Sequence, residues 1–228
     1  MTHPIFTQLH KGLIVSCQAL EEEPLHGAEM MVKMAKAAEA AGAVGIRANG
    51  ASDVRMIREQ SPLPVIGLIK RNYADSPVYI TATQQEVDDL ISANASMIAL
   101  DGTRRSRPGG TNLEELIAYI HARGLPVMAD ISTLEEAQYA EQVGADCVST
   151  TLSGYTPYSL QQEAPDLALV QQAAQALSIP VIAEGRIWQP EQAVEALKAG
   201  AYAVVVGSAI TRPQLIAERY VQAIRKFG

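Results

Sequence analysis

Lys70 ends the apolar run LPVIGLIK (63–70), and among the lysines it is the one placed to do chemistry. Lys11 precedes the first apolar run, Lys33 and Lys36 fall on a helix-forming stretch, and Lys198 and Lys226 belong to later helical segments. If 64–70 is a strand, alternation puts Ile66, Leu68 and Lys70 on one face, so two core residues lead to an amine at the strand end. The same step from core to rim recurs in Gly45 with Arg47, Met128 with Asp130, and Ile182 with Glu184. A lysine partly buried beside an arginine has a lowered pKa. On the residues alone it fits a general base, a Schiff-base nucleophile or an electrostatic clamp for an anion.

A second constellation lies near the end of the chain. The stretch PVIAEGRIWQPEQAVEALKAGAYAVVVGSAITRP (180–213) reads as strand, helix, strand, with a further helix opening after Ser208 and Arg212 in its first turn. Each strand ends in glycine, at Gly185 and at Gly207-Ser208. Exposed backbone N–H groups above a helix start, glycines that admit close approach, and Arg212 nearby make a site for a phosphorylated ligand. Two ordinary strand-to-helix turns would also use glycine, but the arginine and the late position favour phosphate.

These side chains need a scaffold. The expected strands are 13–18, 44–49, 64–70, 97–101, 126–131, 147–151, 180–184 and 203–207. The expected helices lie near 27–41, 51–59, 84–93, 111–123, 133–143, 166–177, 189–199 and 212–226. Segments such as AGAVGIR (41–47) and VGADCVS (143–149) alternate with LPVIGLIK, LPVMADI (125–131) and IPVIAEG (179–185), a repeat with quarters of roughly fifty to sixty residues. Short apolar strands alternating with helices imply a parallel sheet. A doubly wound sheet would carry its glycine-rich turn after the first strand, where this chain has SCQAL. The reading is one (β/α)₈ barrel domain over 1–228, with a phosphate site after strands seven and eight. Strand-end residues Gln18, Arg47, Lys70, Asp101, Asp130, Thr150, Thr151 and Glu184 then face one mouth.

The composition narrows the function classes. The chain has 228 residues, 48% of them hydrophobic, and a formal charge of −7. That charge argues against nucleic acid or an anionic membrane as partner, so an anionic ligand needs local cations. No run approaches the ~18 apolar residues of a membrane span, and the expected compartment is the cytoplasm. Cys17 and Cys147 are expected as buried, unpaired thiols. His3, His10, His26 and His121 all lie away from strand ends, so no metal is expected. The loop GTRRSRPGG (102–110) fits either a solvated basic loop or a lid whose arginines help hold an anion.

The motifs SCQAL (16–20), GIRANG (45–50), GLIKR (67–71), ALDGTRRSRP (99–108), MADIST (128–133), TTLSGYT (150–156), AEGRI (183–187) and GSAITRP (207–213) resemble the N-acetylmannosamine-6-phosphate 2-epimerase family, in order and over nearly the whole chain. Gly102 departs from that pattern, where alanine is expected. The resemblance implies cofactor-independent 2-epimerisation of a phosphorylated amino sugar in sialic acid catabolism, and a homodimer. It implies Lys70 as catalytic lysine, Glu184 as its partner carboxylate, Gln18, Arg47 and Asp130 at the sugar, and Arg212 at the phosphate. A lysine-dependent aldolase and a non-catalytic sugar-phosphate sensor are the rivals. Against the first, strand six carries no lysine; against the second, a sensor has no need of Lys70, Glu184 and Arg47 together.

Overall fold

The computed structural model describes residues 3–227; residues 1, 2 and 228 lie outside it. In chain order the elements are α1 (Pro4–Leu9), β1 (Leu13–Cys17), α2 (Ala28–Ala40), β2 (Gly45–Asn49), α3 (Ala51–Gln60), β3 (Val65–Leu68), α4 (Gln84–Ser92), β4 (Met97–Asp101), α5 (Leu113–His121), β5 (Val127–Asp130), α6 (Leu134–Gln142), β6 (Cys147–Ser149), α7 (Leu167–Ala176), β7 (Val181–Glu184), α8 (Pro190–Lys198), β8 (Ala203–Val206), α9 (Ser208–Thr211) and α10 (Pro213–Arg225). The eight strands pair in parallel in sequence order, and β8 closes onto β1, with Leu13 opposite Val204 and Val15 opposite Val206. The expected (β/α)₈ barrel is the observed fold.

Strand alternation divides the apolar residues into two cores. Ile14, Ile66, Leu68, Met97, Met128, Cys147, Ile182 and Val205 fill the barrel interior. Their neighbours Val15, Ile46, Val65, Ile98, Val127, Val148 and Val181 face outward and pack under the helices. Each fully buried aliphatic side chain contributes about 1.5–3 kcal/mol. Cys17 and Cys147 are both buried and unpaired.

Helix α1 has no counterpart in the sequence reading. It plugs the N-terminal end of the barrel with Ile5, Phe6 and Leu9, all buried in the interior core. Gly45 admits the plug, since a Cβ there would stand 2.8 Å from a Leu9 methyl. Six residues are too few for a helical periodicity to declare itself.

Two strands stop two residues earlier than expected. β3 ends at Leu68, after which the chain turns into a hairpin: Lys70 bridges Ile80 in antiparallel fashion and the Thr81 N–H donates to the Ile69 carbonyl at 2.8 Å. β6 ends at Ser149, because the Thr150 hydroxyl takes the place of a ladder partner. Its Oγ1 donates to the Glu184 carbonyl at 2.9 Å and accepts from the Glu184 N–H at 3.0 Å.

Candidate active site

A cavity of about 250 Å³ opens at the C-terminal end of the barrel. Gln18, Arg47, Lys70, Glu184, Gly185, Gly207, Ser208 and Arg212 all line it, so the geometry gathers residues scattered across the whole chain. Three of the expected mouth residues do not line it: Asp130 sits one layer down, fully buried, with both oxygens turned to Arg47, Asp101 is buried against Arg105, and Thr150 is buried against the Glu184 backbone.

The Arg47 guanidinium is the hub of the floor. Its Nη1 lies 2.9 Å from Asp130 Oδ1 and 2.7 Å from Glu184 Oε2, and its Nη2 lies 2.5 Å from Asp130 Oδ2. Burial alone would weaken its hold on a proton, but the Asp130 and Glu184 carboxylates outweigh that and keep it firmly cationic. Its Nε is buried without a hydrogen-bond partner. Thr151 ties the two carboxylates together, with Oγ1 at 2.8 Å from Asp130 Oδ1 and 3.0 Å from Glu184 Oε2. Burial raises the Glu184 carboxyl above its ordinary value, against the opposing pull of Arg47.

Lys70 stands above this floor. Its backbone N–H donates to Asn49 Oδ1 at 2.8 Å, which fixes the main chain and leaves the side chain to the cavity. Among the described residues its ammonium makes no ion pair. Burial, reinforced by the positive charge of Arg47, lowers its pKa to about 8, with Glu184 pulling the other way. Near neutrality such a group exchanges readily between ammonium and amine, as a general base requires.

Directly after β7, Gly185 adopts φ 108° and Arg186 follows at φ 57°, a left-handed pair that turns the chain sharply. Gly207 caps α9, so Arg212 belongs to the junction of α9 and α10, one short helix later than the sequence suggested. The Arg212 guanidinium is held by Glu23, with Nη2 3.1 Å from Oε2, and Glu23 in turn accepts from the Leu20 N–H and from Gln214.

Tyr79, Ile80, Tyr155, Ile187 and Trp188 also line the cavity and were not singled out from the sequence. The first two come from the 71–83 loop, whose length was the available signal. Arg186 donates to the Ser153 and Ala164 carbonyls and so pins the loop that carries Tyr155. No side chain of the arginine loop lines the mouth in this structure: Arg104, Arg105 and Arg107 line a separate cavity.

A closed parallel barrel with charged side chains from β2, β5, β7 and the segment after β3 converging at its C-terminal end is the architecture of a barrel enzyme. Comparison with known proteins gives the family. Residues 31–226 match the N-acetylmannosamine-6-phosphate epimerase family. A Clostridium perfringens protein named as the 2-epimerase is 54% identical over 214 residues, covering 94% of this chain and 97% of that one. The Clostridioides difficile protein of the same name is 56% identical over 212 residues, 93% of this chain and 95% of its own. A solved structure of the Clostridium perfringens N-acetylmannosamine-6-phosphate 2-epimerase superposes with a TM-score of 0.96 at 52% identity, covering 98% of this chain and 97% of that one. A thiamine phosphate pyrophosphorylase from Pyrococcus furiosus, at 21% identity and TM-score 0.61, shares the fold alone. The chain belongs to the N-acetylmannosamine-6-phosphate epimerase family.

Proposed function

We propose that the protein interconverts N-acetylmannosamine 6-phosphate and N-acetylglucosamine 6-phosphate, without a cofactor, by removing and returning the proton at C2. The observation that carries this reading is a cavity-facing lysine with no ion pair among the described residues, its pKa lowered to about 8, above an arginine bound to two carboxylates. The C2 proton is acidic only beside an aldehyde, so the ring opens first, and Glu184 at the cavity wall is the group that assists. Lys70 Nζ then takes the proton as the C2–H electron pair moves into the enolate. The fixed cation of Arg47 faces the negative charge that develops on its oxygen. Return of a proton to the opposite face of C2 completes the inversion. Gln18 contacts the sugar directly, while Asp130 acts on it through the guanidinium it orients.

Incubation with N-acetylmannosamine 6-phosphate in deuterium oxide, in the presence of a chelator, tests the reading. The expected product is N-acetylglucosamine 6-phosphate carrying deuterium at C2. Cleavage to smaller sugars would instead indicate an aldolase, and absence of exchange a binding protein. Chelation is expected to change nothing, because among the described residues no three His, Cys, Asp or Glu side chains assemble into a ligand set.

The phosphate is assigned to Gly185, Gly207, Ser208 and Arg212. A charge-assisted hydrogen bond to phosphate contributes roughly 1.5–3 kcal/mol. Arg212→Ala should therefore raise KM about 10- to 150-fold while leaving kcat within a few-fold, as steady-state kinetics will show. A larger effect on kcat than on KM would move Arg212 from binding to chemistry.

The active species is proposed to be a homodimer in the cytoplasm, consuming amino sugar phosphates from sialic acid breakdown. The unpaired thiols of Cys17 and Cys147 suit a reducing compartment. Helix α10 supports the dimer: it buries no residue and leaves Tyr220, Val221 and Ile224 exposed, with Phe227 exposed just beyond its end. That is more apolar surface than a lone helix normally presents to water. Ile224→Glu should convert a dimer into a monomer on light scattering. A wild-type protein that is monomeric at micromolar concentration would refute the assignment.

A further inference from the structure

The loop 102–110 contributes nothing to the mouth, yet it encloses a second cavity of about 330 Å³ that shares no residue with the first. Arg104, Arg105, Arg107, Tyr139 and the start of α5 line it, and its lining contains no acidic side chain. In a protein of net charge −7 such a carboxylate-free, arginine-walled hollow needs a cause.

Of the three arginines, Arg105 is spent. Its Nη2 lies 2.7 Å from Asp101 Oδ2 and its Nε donates to Thr103 Oγ1, which closes the turn after β4. Asp101 is engaged on both oxygens, since the other one accepts from the Thr103 N–H and hydroxyl. Arg107 is different. It is 6% exposed, its Nη2 donates to the Asp101 carbonyl, and among the described residues its Nη1 has no hydrogen-bond partner. No carboxylate forms an ion pair with it among the described residues. A buried cation in that state is costly unless an anion joins it. Arg104 stacks its guanidinium over Tyr139 at 4.8 Å from the ring centre, which leaves its N–H donors free at the cavity edge.

The backbone adds to the same charge. α5 has nine residues, and its N-terminal end opens on the cavity at Thr111, Asn112 and Leu113. The Asn112 side chain caps only the Glu115 N–H, so the positive end of the helix is incompletely satisfied. Glu114 and Glu115 in its first turn point to exposed positions and do not line the hollow.

We infer that this cavity is a second anion site, separate from the catalytic mouth, which takes a phosphate-class oxyanion between Arg104, Arg107 and the start of α5. Arg107 supplies the buried charge, Arg104 the exposed one, and the helix end orients the oxygens.

Inorganic phosphate is the probe. Equilibrium dialysis of the Arg212→Ala protein, in which the mouth site is weakened, should still count one saturable site in physiological chloride. Arg104→Ala added to that background should weaken the remaining site by roughly tenfold or more, the size of one charge-assisted contact. Arg104→Lys should restore part of it. Arg104 is exposed, so folding is not at stake, and Arg104→Ala alone should keep the wild-type epimerisation rate. Tungstate diffused into crystals should give an anomalous peak within hydrogen-bonding reach of Arg104 and Arg107. Absence of a saturable site in the Arg212→Ala protein, indifference of that site to Arg104→Ala, or its disappearance in chloride would each overturn the inference. None of those results touches the assignment of the mouth.

Discussion

Lys70→Ala is expected to abolish deuterium incorporation at C2 and to reduce epimerisation by at least the 10²–10⁴-fold typical of a lost general base. The wild type should place solvent deuterium on product carbon, and the variant should place none. Binding of the sugar phosphate should stay within a few-fold, because Gly185, Gly207 and Arg212 are untouched. The effect is large because no second amine is available: Lys70 is the lysine among the cavity residues, and its main chain is fixed by Asn49. A folded Lys70→Ala protein that still exchanges the C2 proton at the wild-type rate would transfer the base to Glu184.

The pH dependence follows from the same group. A base acts when unprotonated, so kcat/KM should rise with pH through about 8, the lowered pKa of Lys70, and then level. Arg47 lowers that value by its charge, so removal of Arg47 should push the limb to higher pH. A limb in the carboxylate range, with a plateau already reached at neutrality, would contradict the assignment.

Much of this was legible in the residues, for identifiable reasons. Alternation along Ile66, Leu68, Lys70 and along Met128, Asp130 survives folding because a parallel strand buried on both faces has no freedom to slip by one residue. That is why Lys70 keeps its inward direction even though β3 ends at Leu68 and the chain bends into a hairpin. What the pattern could not show was depth. Asp130 and Glu184 look alike as strand-end acids, yet Asp130 is fully enclosed and Glu184 reaches the cavity wall. The difference lies in the stagger of neighbouring strands. Nor could it show that Arg104 and Arg107 turn to the outside of the mouth, since loop direction depends on where Asp101 anchors Arg105. Tyr155 and Trp188 reach the cavity through loops held by long-range contacts such as Arg186 to Ser153. Such contacts have no local signature.

Replacement of Arg47 by methionine should be the most damaging single change to the molecule, and for two separable reasons. The side chain is 1% exposed and holds Asp130 at 2.5 Å and Glu184 at 2.7 Å. Without it two carboxylates remain close together and bridged by Thr151, with no cation between them. Leaving a buried charge unpaired typically costs 3–5 kcal/mol, or a fall in Tm of roughly 6–20 °C for a chain of this size. The pH dependence has a definite sign. Glu184 already has a raised pKa in the fold, and loss of Arg47 raises it further. A group with a raised folded-state pKa stabilises below its unfolded value, about 4.3, and that contribution is lost as pH rises through the folded value. The deficit in Tm should therefore be greatest near neutrality and shrink on acidification. Adding Asp130→Leu removes one of the two stranded carboxylates and should return part of the lost Tm. It should return no activity, since the cation facing the enolate is still missing and such a group is typically worth 10²–10³ in kcat. Recovery of both together would mean that Arg47 serves the fold alone.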